Sequence, residues 1–151
     1  MPNTNDKIKA LKIELNDLDI EVKQSSYDKN TFETEQGDFL VLTDKEADER
    51  VKESIKDTLW AFNTPFILEH IKGYQNTTDY EDRCITKALE KLQEDLCESA
   101  NPIIERLIDN LDEFVKDAVD FDGRGHFLAS YDGDEREVTL KDGTKYFIYK
   151  N

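Results

Sequence analysis

The spacing of apolar positions divides the chain into three kinds of segment. Near the start, Ile8, Leu11, Leu15 and Leu18 fit one helical stripe, while Leu18, Ile20 and Val22 alternate with Asp19, Glu21 and Lys23. These two periods predict a helix over about 5–15 and a strand over about 18–24. Residues 25–30 are turn-like, 31–35 suit a second strand, and Phe39-Leu40-Val41-Leu42 suits a third after the break at Gln36-Gly37-Asp38.

The middle of the chain reads at period 3.6. Thr43-Asp44-Lys45-Glu46 is a capping box, and Ala47, Val51, Ile55, Leu59 and Phe62 follow on one face, which predicts a helix over about 44–62. Asn63-Thr64-Pro65 ends that helix and starts another over about 65–71, because proline suits the first helical position. A second capping box, Thr78-Asp79-Tyr80-Glu81, opens a helix to about residue 98 carrying Tyr80, Cys84, Ile85, Ala88, Leu89, Leu92 and Leu96. Asn101-Pro102 then starts a helix over about 102–119, and the short linker predicts an antiparallel hairpin of these two helices.

After Asp122-Gly123-Arg124-Gly125 the period falls to two. Residues 127–131, 137–140 and 146–149 read as strands, and Asp132-Gly133 and Asp142-Gly143 mark the turns between them. The fold class is therefore α+β: central helices, including an acidic two-helix hairpin, and a C-terminal three-stranded antiparallel meander that the 39–42 strand could join. At 151 residues we expect a single domain over 1–151, with a mixed region at 1–43, a helical region at 44–122 and the meander at 123–151.

Charge narrows the function classes. The chain carries 35 acidic and 20 basic residues, for a formal net charge of −15. Phosphate neutralisation needs a surplus of Lys and Arg, so direct nucleic-acid binding is disfavoured, as is an anionic membrane surface. No apolar run has the ~20 residues of a membrane span, and the N-terminus has no apolar leader segment, so the sequence reads as a soluble intracellular protein. The excess is uneven: residues 79–122 hold 14 acidic and 5 basic residues, nine of the fifteen excess negative charges. Glu90, Glu94 and Glu98 repeat at i+4, about 6 Å apart along a helix, and Glu105, Asp109, Asp112 and Glu113 repeat similarly on the next one. Like charges at this spacing slightly destabilise a helix, so stability alone does not favour them. A solvated helix face is one explanation; a row of carboxylates imitating nucleic-acid phosphates in a basic groove is the other.

Candidate chemistry is sparse. His126 stands near Ser130 and Asp132, so an imidazole base and a hydroxyl nucleophile are conceivable in the 123–132 loop. His70 falls among Leu68 and Ile71 and reads as a core-edge residue. Asp120-Phe121-Asp122-Gly123-Arg124-Gly125 matches part of an EF-hand loop, but Arg124 and Tyr131 occupy positions that need oxygen ligands. No zinc cluster, phosphate loop or dinucleotide fingerprint is present, and we expect neither metal nor cofactor. Cys84 and Cys97 lie on the apolar stripe of one predicted helix, about 20 Å apart, and read as buried, unbridged thiols. Leu59-Trp60-Ala61-Phe62 with Pro65-Phe66 forms an aromatic joint, read as core.

Several segments also carry a resemblance. Leu42-Thr43-Asp44-Lys45-Glu46-Ala47-Asp48, Leu59-Trp60-Ala61-Phe62-Asn63, Gly123-Arg124-Gly125-His126-Phe127-Leu128-Ala129-Ser130-Tyr131-Asp132-Gly133 and Tyr146-Phe147-Ile148-Tyr149 resemble segments of small acidic proteins of tailed bacteriophages, a family with no assigned activity. The resemblance spans about 42–150 and transfers no functional residue. It implies expression in an infected bacterium, where small acidic phage proteins are often inhibitors of host nucleic-acid enzymes, including restriction and CRISPR systems.

The expected function is thus non-enzymatic: binding of a basic surface on a host nucleic-acid-processing protein in the host bacterial cytoplasm, through Glu90, Glu94, Glu98, Glu105, Asp109 and Asp112. The alternatives are a small enzyme or ligand-binding protein using His126, Ser130 and Asp132, or a virion or assembly component.

Overall fold

The computed structural model describes residues 2–151. In chain order the elements are α1 (Thr4–Glu14), β1 (Lys23–Gln24), β2 (Thr31–Thr34), β3 (Gly37–Leu42), α2 (Asp44–Asp57), α3 (Thr64–Glu69), α4 (Asp79–Leu96), α5 (Asn101–Leu107), α6 (Leu111–Asp122), α7 (Arg124–Leu128), β4 (Arg136–Thr139) and β5 (Lys145–Lys150). Short 3₁₀ turns occupy Leu59–Ala61, Tyr74–Asn76 and Cys97–Ala100. The class is α+β, as the periodicities predict. The described residues group into two compact units: residues 2–51 with 122–151, and residues 52–121.

The first unit is built on a five-stranded antiparallel sheet of order β1-β2-β3-β5-β4. The continuous apolar runs Phe39–Leu42 and Tyr146–Tyr149 become the two adjacent strands β3 and β5, in which successive side chains are buried on opposite faces. On one face Phe32, Phe39, Val41, Val138, Tyr146 and Ile148 pack with Ala10 and Leu11 of α1. The other face carries Leu40, Leu42, Phe147 and Tyr149, also buried.

Two strands differ from expectation. Residues 127–131 do not form the first strand of the meander. Residues 124–128 are α7, and the antiparallel partner on the far side of β5 is β3. The 18–24 strand shrinks to Lys23–Gln24 because α1 ends in a built turn. Asn16 takes a left-handed conformation with φ of 51°, its N–H bonds to Ile13 O, and the Asp17 N–H bonds to Lys12 O. That is a Schellman cap with asparagine in place of glycine. Asp17 Oδ1 then accepts the N–H groups of Asp19 and Ile20, and buried Ile20 anchors the chain beyond.

The second unit is helical. Thr78 and Glu81 close the expected capping box of α4, and Asn63 caps α3. The helix expected over 102–119 is interrupted. Ile108 is extended and bridges Ile71, and Asn110 caps α6 by accepting the Glu113 N–H. The signal lies in Asn110-Leu111-Asp112-Glu113, an asparagine cap with glutamate three residues on.

Helix α4 is also rotated relative to its apolar stripe. Leu89 and Gln93 are buried, whereas Tyr80, Cys84, Ala88 and Leu96 are exposed. Polar groups occupy the inward face because each is satisfied there. Asp82 accepts the Tyr74 hydroxyl, and the Thr86 hydroxyl donates to Asp82 O. Gln93 accepts from Thr64 Oγ1 and donates to the carbonyls of Trp60 and Phe62, at 2.9, 2.9 and 2.7 Å. Both cysteines are accordingly exposed, not buried.

Candidate functional site

Six carboxylates stood out in the sequence, and the structure separates them. Glu105 and Asp112 are ion-paired to Lys56 and Lys52, which sit one turn apart on α2, at 3.3 and 2.5 Å. Glu90 and Glu94 are exposed on α4 with no ion pair among the described residues. Arg83, Lys87 and Lys91 form a basic i+4 row on that same exposed side. Glu98 is exposed in the 3₁₀ turn that follows. Asp109 alone lies in a concave acidic surface.

That concavity is made by the interruption between α5 and α6. The Ile71–Ile108 bridge is flanked by the Lys72 N–H bonding to Leu107 O and by the Asp109 N–H bonding to His70 O, at 3.2 and 2.9 Å. These bonds set Asp109 beside the end of α3. Asn110 then starts α6, which presents Glu113 and Asp117 at i+4 spacing from Asp109. Together with Glu69 of α3 they surround an opening of about 200 Å³ lined also by Gln75 and Asn110.

His70 forms the inner wall. Its ring packs on Phe66 and Phe114 at centroid distances of 5.3 and 5.0 Å, and its Nε2 is 3.3 Å from Asp117 Oδ2. Phe62 completes an aromatic group with both phenylalanines, at 5.7 Å from Phe66 and 5.1 Å from Phe114. The histidine is therefore core-edge, as its sequence context suggested, with one nitrogen reaching the acidic surface. The sequence pattern placed Glu113 in one acidic row with Asp109 but did not single out Glu69 or Asp117 as members of a site with them. The i+4 run Asp109, Glu113, Asp117 was the available signal.

The 123–132 loop has a structural explanation for most of its residues. Arg124, 11% exposed, gives Nε and Nη2 to Glu135 at 2.7 and 3.1 Å, and Nη1 to Asp44 and Asp48 at 2.8 and 3.0 Å. Its guanidinium lies 4.4 Å from the Phe147 ring centroid, and the Tyr149 hydroxyl donates to Glu135. The 42–48, 123–133 and 146–149 segments thus meet around one arginine. Gly125 is required by close approach: a Cβ there would stand 2.3 Å from Gly133 O.

The alternative catalytic trio is not assembled. His126 is exposed, with its ring against Phe127 at 4.9 Å, Ser130 bonds to Asn151, and Asp132 is paired with Arg136. No hydrogen bond joins any two of the three among the described residues. Hydrogen bonds from Arg136 and from the Asp134 N–H hold the Asp132 carboxyl below its ordinary pKa, which suits a turn anion rather than a base. Asp120 pairs with Lys116, and no group of three or more metal-ligating side chains occurs among the described residues.

No family model, curated protein or solved structure matches the chain. No helix among the described residues is long and apolar enough to cross a membrane.

Proposed function

We propose that the protein is a non-catalytic binding protein that engages a basic surface of a host nucleic-acid-processing protein through its helical unit. The observation that carries this reading is the convergence of Glu69, Asp109, Glu113 and Asp117 on one opening large enough for a single lysine or arginine side chain. A guanidinium entering it meets carboxylates on several sides and His70 on the inner wall, and its planar fork of donors suits several carboxylates at once, which favours arginine. The contact centre moves accordingly. Glu105 and Asp112 serve the fold through Lys56 and Lys52, and the α4 row of Glu90, Glu94 and Glu98 contributes steering at the periphery. The bacteriophage resemblance supplies the setting of this proposal: action inside an infected bacterium against a host enzyme that handles nucleic acid.

The test is capture of partners from bacterial lysate by immobilised protein at low and then high salt. Wild type is compared with an Asp109→Lys/Glu113→Lys/Asp117→Lys variant whose unfolding midpoint has been checked. We expect wild type to retain a nucleic-acid-processing protein that salt releases, and the variant to bind it at least about tenfold more weakly, since like charges across an interface repel. Equal capture by both proteins removes the acidic opening from the mechanism.

A further inference from the structure

The sheet-containing unit has a second concave surface of the opposite character. It lies between the C-terminal half of α1, the turn after it, and the β4–β5 turn, and encloses about 470 Å³. That is within the size range of pockets for drug-sized ligands. Its apolar lining is Ile13, Leu18 and Leu140, and its rim carries Lys9, Lys12 and Lys141. We propose that this groove binds a single-chain amphipathic carboxylate, with the hydrocarbon on Ile13, Leu18 and Leu140 and the carboxylate at Lys12 and Lys141.

Three observations support this. First, Leu18 is 72% exposed and Ile13 49% exposed, yet neither belongs to a loose segment. The Schellman cap at Asn16, the Asp17 side-chain bonds and the 3.0 Å bond from Lys12 Nζ to Leu18 O hold Leu18 outward in a fixed turn. A leucine displayed this way on a built turn is an anchor without a partner in the fold.

Second, the rim selects an anion of low charge. Of its two carboxylates, Asp6 lies 3.3 Å from Lys9, and Asp142 accepts the Thr144 N–H within its own turn. Lys141 has no ion pair among the described residues, and Lys12 keeps donors beyond the one it gives to Leu18. The groove therefore offers about one uncompensated positive charge, in a chain whose net charge is −15.

Third, that net charge excludes the competing occupants. A polyanion or an anionic bilayer is repelled by the whole molecule, whereas a monoanion loses little to that field and gains the apolar contact. Each methylene buried strengthens binding about fourfold, so affinity should grow with chain length.

The probe is decanoate below its micellar concentration, titrated into the full chain and followed by amide chemical shifts. We expect saturable one-site shifts centred on Ile13, Leu18 and Leu140. Binding should weaken at least tenfold for hexanoate, for neutral decanol, and for a Leu18→Asp variant. Lys141→Glu, which alters an exposed side chain, should weaken decanoate at least about fivefold while leaving remote amides unmoved; it covers the case in which Leu18→Asp fails to fold. Shifts that are absent, that map elsewhere, that do not saturate, or that are as strong with decanol overturn the proposal.

Discussion

Replacing Lys7 with methionine removes one charge from the centre of the sheet-containing unit. Lys7 is 4% exposed, and its Nζ lies 2.6 Å from both Asn30 Oδ1 and Glu46 Oε2. Methionine fills the same space without the ammonium, so a buried amide loses its donor and a carboxylate loses its cation. Removing one partner of a buried pair costs about 3–5 kcal/mol. Glu46 is 23% exposed and keeps the N–H and hydroxyl of Thr43. Water therefore reaches the stranded carboxylate, and the expected cost is the low end, about 3 kcal/mol. In a chain of this length that lowers the melting temperature by about 6–12 °C. A Lys7→Met/Glu46→Gln double variant carries no stranded charge and should recover at least half of the loss.

The same pair has a pH signature. Burial by itself pushes the Glu46 carboxyl up, but hydrogen bonds from Lys7 and from the Thr43 N–H outweigh it and hold the pKa below the ordinary glutamate value. A depressed folded-state pKa adds stability that is complete above the unfolded value and disappears as pH falls through the folded one. The gap between wild type and Lys7→Met should thus be full at neutral pH and shrink in the acid range below about pH 4. Urea unfolding followed by circular dichroism at both pH values measures it. An unchanged midpoint in Lys7→Met, or a gap that widens on acidification, would refute the reasoning.

Other substitutions probe other parts of the fold. Gly125→Ala should destabilise by about 1–3 kcal/mol despite alanine's better helix propensity, because its methyl meets the backbone of Gly133, Asp134 and Glu135; a melting temperature at or above wild type contradicts this. Gln93→Leu leaves the carbonyls of Trp60 and Phe62 without that donor and should cost about 1–3 kcal/mol; a neutral result in urea unfolding would mean those carbonyls find water. Both Cys84 and Cys97 should react with a thiol reagent in the folded protein, giving two equivalents before any denaturant; protection of either thiol contradicts its exposure.

Where a periodicity had one interpretation, the sequence was a sound guide. Both capping boxes, the continuous strands β3 and β5 and the Asp142-Gly143 turn are local signals, and local chemistry decides them. Tertiary bonding overrode the pattern elsewhere. The stripe on α4 pointed to Tyr80, Cys84 and Ala88, yet the buried face follows Gln93 and Asp82, whose partners come from 60–74. The 127–131 segment alternates like a strand, but Arg124, held by Asp44, Asp48 and Glu135, opens a short helix that takes in residues 127 and 128 and leaves 129–131 as irregular chain and turn. The acidic site was half legible. Asp109 was recognised by its charge, but Glu69 joins it only through the Ile71–Ile108 bridge, a pairing with no local trace in the sequence.

The order of the strands has a consequence for how the chain folds. β3 pairs on one side with β2, close in sequence, and on the other with β5, so that Leu42 waits for Phe147. Closing a loop of that length costs about 4 kcal/mol of chain entropy before any contact repays it. The helices between them rest on local contacts and form sooner. During that delay β3 has an unpaired edge and apolar side chains on both faces, Phe39 and Val41 on one and Leu40 and Leu42 on the other. This is the moment at which two nascent copies are most able to mispair, β3 against β3. Variants that slow β5 docking, rather than those that weaken the finished sheet, should therefore be the ones that aggregate on expression.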